Sequence, residues 1–239
     1  MEEIIMIRNL SLSFLLLFVT SCITTPPPNP AYVGQIDAYF GKVNHKTYRA
    51  SGKFKKPMPY KVGQYVVTGI SNASERSISK MALVGREKDG WIIETQTITP
   101  TSESTSQMLV VGLEKARKTG RIDELDIAWV KVKPHGQQVQ TFEGALLALT
   151  KGLYKKALSG LEVDYQLQNE TETISVPAGR FQGTVKASSE VAFLNKKYQS
   201  VAWLHPSVPI NGMVKSVAKD QDSVIVLLDF GLSGAKKSF

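Results

Sequence analysis

The sequence predicts an α+β fold dominated by strands, an antiparallel meander packed on one main helix. Three observations carry this. From Lys61 onward, short apolar or alternating runs recur between clusters of turn-forming residues, as strands do. One segment, Phe142 to Ala157, has apolar residues at helical spacing. Cys22 is the only cysteine, so no internal disulfide can form and packing alone must hold the fold.

The chain opens on an apolar stretch, Leu10 to Val19, of ten residues. As a helix it spans about 15 Å, half of a hydrocarbon core of roughly 30 Å, which suits the h-region of a signal peptide better than a transmembrane span. Glu2 and Glu3 make the first residues acidic, whereas a start at Met6 gives the usual positive n-region through Arg8. Val19-Thr20-Ser21-Cys22 closes the stretch and resembles a bacterial lipobox. The resemblance implies cleavage between Ser21 and Cys22 and acyl chains on Cys22; two or more chains give stable anchoring. Ile23 follows the cysteine where an inner-membrane retention signal would place aspartate, so the expected destination is the cell envelope, at an outer membrane facing periplasm or surface. Residues 1–21 are therefore the lipoprotein signal peptide, 22–31 the lipidated cysteine and a proline-rich tether, and 32–239 a single β-rich envelope domain. At about 3.1 Å per residue in a polyproline conformation, the tether stands the domain some 20–25 Å off the bilayer.

Removing the leader takes away Arg8, Glu2 and Glu3 and raises the formal net charge from +8 to +9. The charge is concentrated. Between Ala38 and Ser74 there is no acidic residue, while Lys42, Lys46, Arg49, Lys53, Lys55, Lys56 and Lys61 all fall there, interleaved with Tyr39, Phe40, Tyr48, Phe54 and Tyr60. An exported chain does not meet nucleic acid. Behind a lipid anchor, such a stretch suits an anionic membrane surface or another polyanion, at about 1 kcal/mol per near-surface cation. The plainer reading is a solvated face with a few packed aromatics.

Val62–Ile70 and Ile78–Val84 read as strands separated by Ser71-Asn72-Ala73-Ser74. Lys88-Asp89-Gly90 makes a hairpin turn into Trp91–Thr99. Thr101–Ser106 reads as a polar loop, Met108–Leu113 as a strand or a helix start with strand preferred, and Ile127–Lys133 as another strand stopped by Pro134 and Gly136. Phe142, Ala145, Leu146, Leu149, Leu153 and Ala157 form the helix stripe; Gly144 and Gly152 weaken it by about 1 kcal/mol each, so it needs a surface to lie on. The last seventy or so residues form a meander. Thr171–Val176 leads through a Pro177-Ala178-Gly179 turn into Phe181–Phe193, whose Val185, Ala187, Val191 and Phe193 make a dry face. Asn195-Lys196-Lys197 turns the chain into Ser200–Leu204; Gly212–Ala218 and the doubly apolar Val224–Phe230 follow, the last expected to be central and covered by the helix. That strand has no polar lumen face, which excludes a membrane β-barrel.

Val62-Gly-Gln-Tyr65, Val176-Pro-Ala-Gly-Arg-Phe181, and Ala202-Trp-Leu-His-Pro-Ser-Val-Pro-Ile-Asn-Gly-Met-Val-Lys215 closing with Leu228-Asp-Phe-Gly231 resemble a group of uncharacterised bacterial envelope lipoproteins. That group is similar in outline to LolA/LolB-type proteins. The resemblance implies that the meander is a curved antiparallel sheet that half-wraps its helix and can hold acyl chains. The motifs are structural turns, so they transfer fold rather than activity.

Chemistry-bearing patterns are sparse. His45, His135 and His205 share no metal-ligand spacing, and the latter two read as surface or turn residues. Ser77 and Lys80, like Ser216 and Lys219, have Ser-x-x-Lys spacing but on strands, where it does not align the two groups. Glu162, Asp164, Glu170 and Glu172 show no calcium-loop pattern. No cofactor, no metal and no catalysis are expected, and the oligomeric state is not legible. The expected function is non-enzymatic: a lipid-anchored envelope protein holding an apolar ligand such as a lipid acyl chain between sheet and helix, touched by Phe142, Leu146, Leu149 and Leu153. The alternative is a structural or surface-interaction lipoprotein that binds polyanions, such as an anionic glycolipid, through the basic 42–61 segment. A stripe that merely completes a solid core would remove the first reading.

Overall fold

A computed structural model of the chain describes residues 26–119, 124–148, 151, 166–193, 196–218 and 222–239. The leader, Ser21 and Cys22 lie outside the described residues. Their order is α1 (Pro30–Gly41), β1 (Thr47–Arg49), β2 (Tyr65–Ser71), β3 (Arg76–Glu87), β4 (Gly90–Ile98), β5 (Glu103–Val111), α2 (Leu113–Thr119), β6 (Asp126–Pro134), β7 (Gln140–Phe142), a helical turn at 144–148, then β8 (Gln166–Val176), β9 (Gly179–Phe193), β10 (Lys196–Leu204), β11 (Met213–Ala218) and β12 (Ser223–Gly231). The fold is α+β and strand-rich, as the sequence predicts.

The twelve strands make one sheet in the order β1-β9-β10-β11-β12-β2-β3-β4-β5-β6-β7, with β8 on the other edge of β9. Every pairing is antiparallel except β1, which runs parallel to β9 from Thr47 opposite Arg180 to Arg49 opposite Gln182. The sheet is curved and open. Its curvature has a local cause: the register shifts at Leu83/Gly85, Leu109/Val110, Trp203/Leu204, Leu227/Asp229 and twice between β8 and β9, and each such bulge bends its strand.

Alternation then sends one set of side chains inward. Val66, Leu83, Ile93, Met108, Val110, Val130, Phe181, Val214 and Leu227, from eight strands, meet in one buried cluster. Loops and short helices complete it with Tyr60, Leu113, Ala116, Leu147, Ala178, Val208 and Ile210. The β8–β9 turn reaches across the hollow, where the Ala178 N–H donates to the Leu227 carbonyl at 3.2 Å. The concave face is therefore taken up by the chain itself.

The opposite face is covered by α1. Asn29 caps the helix, its Oδ1 accepting from the Ala31 N–H at 2.9 Å, and Pro30 fits the first position, whose N–H has no helical partner anyway. Tyr32 and Ile36 pack with Val67, Ile78, Ile98 and Leu228, joined by Tyr39 and Phe40. Phe40 lies against the backbone of β2: a Cβ on Gly69 would stand 2.4 Å from its ring. β12 is central as expected, but its cover is α1, a helix absent from the sequence reading. The signal was present, as Asn-Pro followed by apolar residues at 32, 36 and 40.

The 142–157 helix differs from expectation. Phe142 ends β7 opposite Val130, and helix is described only at 144–148 and at 151. Leu147 faces the core at 3% exposure while Leu146 is 51% exposed, so the stripe is rotated by one residue from the anticipated one. Leu149, Leu153 and Ala157 lie outside the described residues. Thr101–Ser106 is likewise no loop, because β5 begins at Glu103. Ladder hydrogen bonds are made by the backbone whatever the side chain, so Ser104 to Ser106 pair with both β4 and β6. The Lys88-Asp89 and Pro177-Ala178 turns lie where the sequence places them.

Candidate functional site at the basic end of the sheet

The sheet has two ends, and the charge gathers at one. There β12 finishes at Gly231 opposite Tyr65, β8 turns into β9, and α1 ends at Gly41. The other end carries the start of α1, where the Asn29 N–H donates to the Pro100 carbonyl at 2.7 Å.

The 42–64 segment wraps the basic end and is pinned along its length. The Asn44 N–H donates to Pro177 O at 2.8 Å, the Arg180 N–H to Lys46 O at 2.9 Å, and the Ala50 N–H to Gln182 O at 3.0 Å. Further on, the buried Gln64 amide accepts from the Lys61 N–H and donates to Pro59 O, both at 3.1 Å. The interleaved aromatics act as anchors. Phe54 is buried with Val185, Ala187, Ala202 and Leu204, Tyr60 meets Trp91 edge-on at 5.8 Å, and Tyr48 stacks on Phe181 at 4.8 Å. Turning the rings inward leaves the cations outside. Lys42, Lys46, Arg49, Lys53, Lys55, Lys56 and Lys61 are all exposed. Among the described residues, only Lys42 has a carboxylate within reach, Asp229 at 3.9 Å; Lys46 sits over the Tyr48 ring at 5.1 Å.

Sequence reading missed the neighbours that the fold brings in. Arg86 lies over Trp91 at 4.8 Å and Arg117 over Tyr60 at 5.7 Å, so cations also cap the rims of core aromatics. Along the outer face of β9, β10 and β11, Lys186 and Lys215 flank Trp203 at 5.7 and 5.3 Å, and its indole N–H donates to Glu172 at 2.9 Å. Cross-strand register makes this row, and no local motif announces it. Acids are present too: Asp229 lies near Lys42, Glu87 and Asp89 are exposed at the β3–β4 turn, and at α2 Lys115 pairs with Glu124 at 3.3 Å and Arg117 with Glu114 at 3.2 Å.

The residues expected to touch an apolar ligand are not brought together. Phe142 packs against the main core, Leu146 points to solvent, and Leu149 and Leu153 lie outside the described residues. Beside them is an open groove of about 290 Å³, lined by Asp126, Ile127, Ala128, Gly144, Leu147, Ala148 and Lys151, with Lys151 and Asp126 ion-paired at its rim.

The histidines separate. His45 is exposed, and His135 lies 3.2 Å from Glu103 with its ring edge-on to Tyr32. His205 is not a surface residue: it is fully buried. Its Nε2 lies 3.2 Å from the Gln182 carbonyl and its Nδ1 accepts from the Ser207 N–H at 3.1 Å, which selects the neutral Nε2–H tautomer. Burial pushes its pKa below the ordinary 6.5, against the opposing pull of the Gln182 carbonyl. Above pH 6.5 the histidine is neutral in folded and unfolded chains alike. Below that, only the unfolded chain takes up the proton, so stability falls until the depressed folded pKa is reached. The expected slope is up to about 1.4 kcal/mol per pH unit. Urea unfolding between pH 7.5 and 5 of the native chain and of His205→Asn checks this; identical slopes would remove His205 as the cause.

Among the described residues no three His, Cys, Asp or Glu side chains group as metal ligands, and no helix is long and apolar enough to cross a membrane. Ser77 and Lys80 stand on β3 three positions apart, hence on opposite faces. Glu162, Asp164 and Lys219 lie outside the described residues.

No family model and no curated protein matches the chain. Five chains of solved structures match this one, two of them as follows. One, from Bacteroides fragilis NCTC 9343, is provisionally described as an exported protein with a YmcC-like fold; it shares 12% identity, covers 74% of this chain and 99% of its own, and superposes with a TM-score of 0.34. The other, from Parabacteroides distasonis ATCC 8503, is provisionally described as a lipoprotein; identity is 14%, coverage 75% and 100%, and the TM-score 0.33. At such scores neither carries an argument, and neither shows a likeness to LolA/LolB-type proteins.

Proposed function

We propose that this chain is a lipid-anchored, non-catalytic envelope protein that binds polyanions through the basic end of its sheet. One observation carries the reading: all seven cations of the 42–61 segment are exposed on a backbone pinned by hydrogen bonds and buried aromatics. The pinned backbone needs no ordering on binding, so the entropy cost is confined to the lysine and arginine side chains themselves. Acyl anchorage through Cys22 places this array at an envelope, where phosphorylated glycolipids and acidic glycans supply the anions. Carriage of an acyl chain in the curved sheet has less support. The concave face is occupied by Tyr60, Ala178, Val208 and Ile210, and the groove beside Leu147, at about 290 Å³, falls at the bottom of the roughly 300–1,000 Å³ of small-molecule pockets.

The test uses the mature chain carrying Cys22→Ser, which cannot be acylated, titrated with long-chain polyphosphate. Binding should weaken steeply with added salt, as screened contacts do. Replacing Lys46, Lys53, Lys55 and Lys56 by glutamine should lower the affinity at least about tenfold, given roughly 1 kcal/mol per near-surface cation. Unchanged affinity removes the polyanion reading. A stoichiometric lipid on the native chain in mass spectrometry would restore the carrier reading.

A further inference from the structure

We infer that the basic end docks on an anionic bilayer, with Val43, Val62 and Leu232 entering the headgroup region. This rests on the polyanion reading and commits the polyanion to a lipid surface rather than a soluble glycan. The observation is an apolar one. Val43, Val62 and Leu232 are 61%, 50% and 54% exposed, among the most exposed large apolar side chains of the described residues.

Separate parts of the chain bring them to one place. The Ala235 N–H donates to the Gly63 carbonyl at 2.9 Å, setting the chain that follows Leu232 against the residue after Val62. Gly231, just before Leu232, pairs with Tyr65. Val43 lies between Lys42, which reaches Asp229 of β12 at 3.9 Å, and Asn44, which bonds Pro177 at the β8–β9 turn. Lys42 and Lys61, each next in sequence to an apolar tip, and Lys46 therefore lie at the same end of the sheet as the three apolar side chains.

A soluble polyanion offers nothing for exposed valine and leucine to bury against. A bilayer with anionic headgroups offers both charge and, just beneath, apolar volume. The tips are too few to hold the protein alone, so they act together with the cations and the acyl chains on Cys22. The anchor does not prevent this. Seven residues lie between Cys22 and Pro30, so eight Cα-to-Cα steps join the two. They reach about 26 Å when extended, more than the roughly 18 Å length of the twelve-residue α1.

The experiment is co-sedimentation of the Cys22→Ser chain with large vesicles of phosphatidylcholine, alone or mixed with phosphatidylglycerol. Binding is expected to the mixed vesicles only, and to persist in part at high salt. The triple variant Val43→Ser, Val62→Ser, Leu232→Ser should bind the mixed vesicles about tenfold less, through lost apolar burial, and bind polyphosphate as the native chain does. These sites are exposed, so the fold has little to lose. As a second readout, Val43→Cys in the same background, labelled with an environment-sensitive dye, should shift to the blue on mixed vesicles. Native-like vesicle binding by the serine variant, or no dye shift, overturns insertion and leaves the polyanion reading standing. Polyphosphate binding without vesicle binding points to a soluble polyanion. If the Lys46, Lys53, Lys55 and Lys56 glutamine variant keeps polyphosphate affinity, the polyanion reading itself fails.

Discussion

Phe181→Ala should destabilise the protein by about 3–5 kcal/mol, the usual cost of deleting a fully buried aromatic ring. Phe181 is 0% exposed and is the hub of the packed end of the sheet. Tyr48 stacks on it at 4.8 Å, His205 meets it edge-on at 5.2 Å, and Phe230 lies at 6.0 Å. Those three rings come from β1, the loop after β10, and β12, so the cavity left by alanine cannot close by moving one element. The measurement is urea unfolding with an unchanged slope and a lower midpoint. Phe181→Leu, which keeps most of the volume, should lose clearly less. Equal losses for both would mean that ring packing is not what Phe181 contributes. The alanine variant should also loosen the 42–61 segment, because Tyr48 loses the ring that it stacks on. Polyphosphate affinity should then fall although no cation has been removed.

Gly179→Ala should cost about 2–5 kcal/mol, from backbone strain and overpacking together. Its φ of +137° is open to glycine and strained for any L side chain. A Cβ there would also stand 2.6 Å from the Lys46 carbonyl and 2.9 Å from the Tyr48 ring. The Lys46 oxygen is held in place because it accepts from the Arg180 N–H at 2.9 Å. The substitution therefore forces apart the β8–β9 turn and the basic segment. Gly52→Ala is the control, since nothing lies within 4 Å of its added methyl and its φ lies outside the left-handed region. Thermal unfolding should separate the two variants by several degrees; matching midpoints would show that the turn tolerates the methyl.

The strands were legible because period-two alternation and turn residues are local signals. β2, β3, β4, β6, β9, β11 and β12 all lie within a few residues of the runs that predict them. β5 was cut short because Glu103 to Ser106 carry no apolar residue, and only the flanking strands reveal that their backbone is paired. α1 was missed for another reason. Tyr39 and Phe40 sit among lysines, which invites a surface reading, and the four-residue spacing from Tyr32 and Ile36 acquires meaning only when a sheet lies beneath it. His205 has the sequence signature of a turn residue from Pro206 beside it. Its burial depends on Phe181 and Gln182, more than twenty residues earlier.

The candidate site divides in the same way. The seven cations and the lack of acids between them are facts of sequence, as are the lipobox-like Cys22 and the strand-rich class. Which way each side chain points is not. Phe54 and Tyr60 face inward because the sheet curves at its bulges and leaves a hollow for them to fill. That burial turns the lysines outward. Val43, Val62 and Leu232 share an end because two antiparallel partners, β12 and β2, bring residues more than 160 positions apart side by side. Composition and periodicity determine local conformation, since they act through neighbours along the chain. The coincidence of charge and apolar tips was decided by pairing and curvature, which act through neighbours in space.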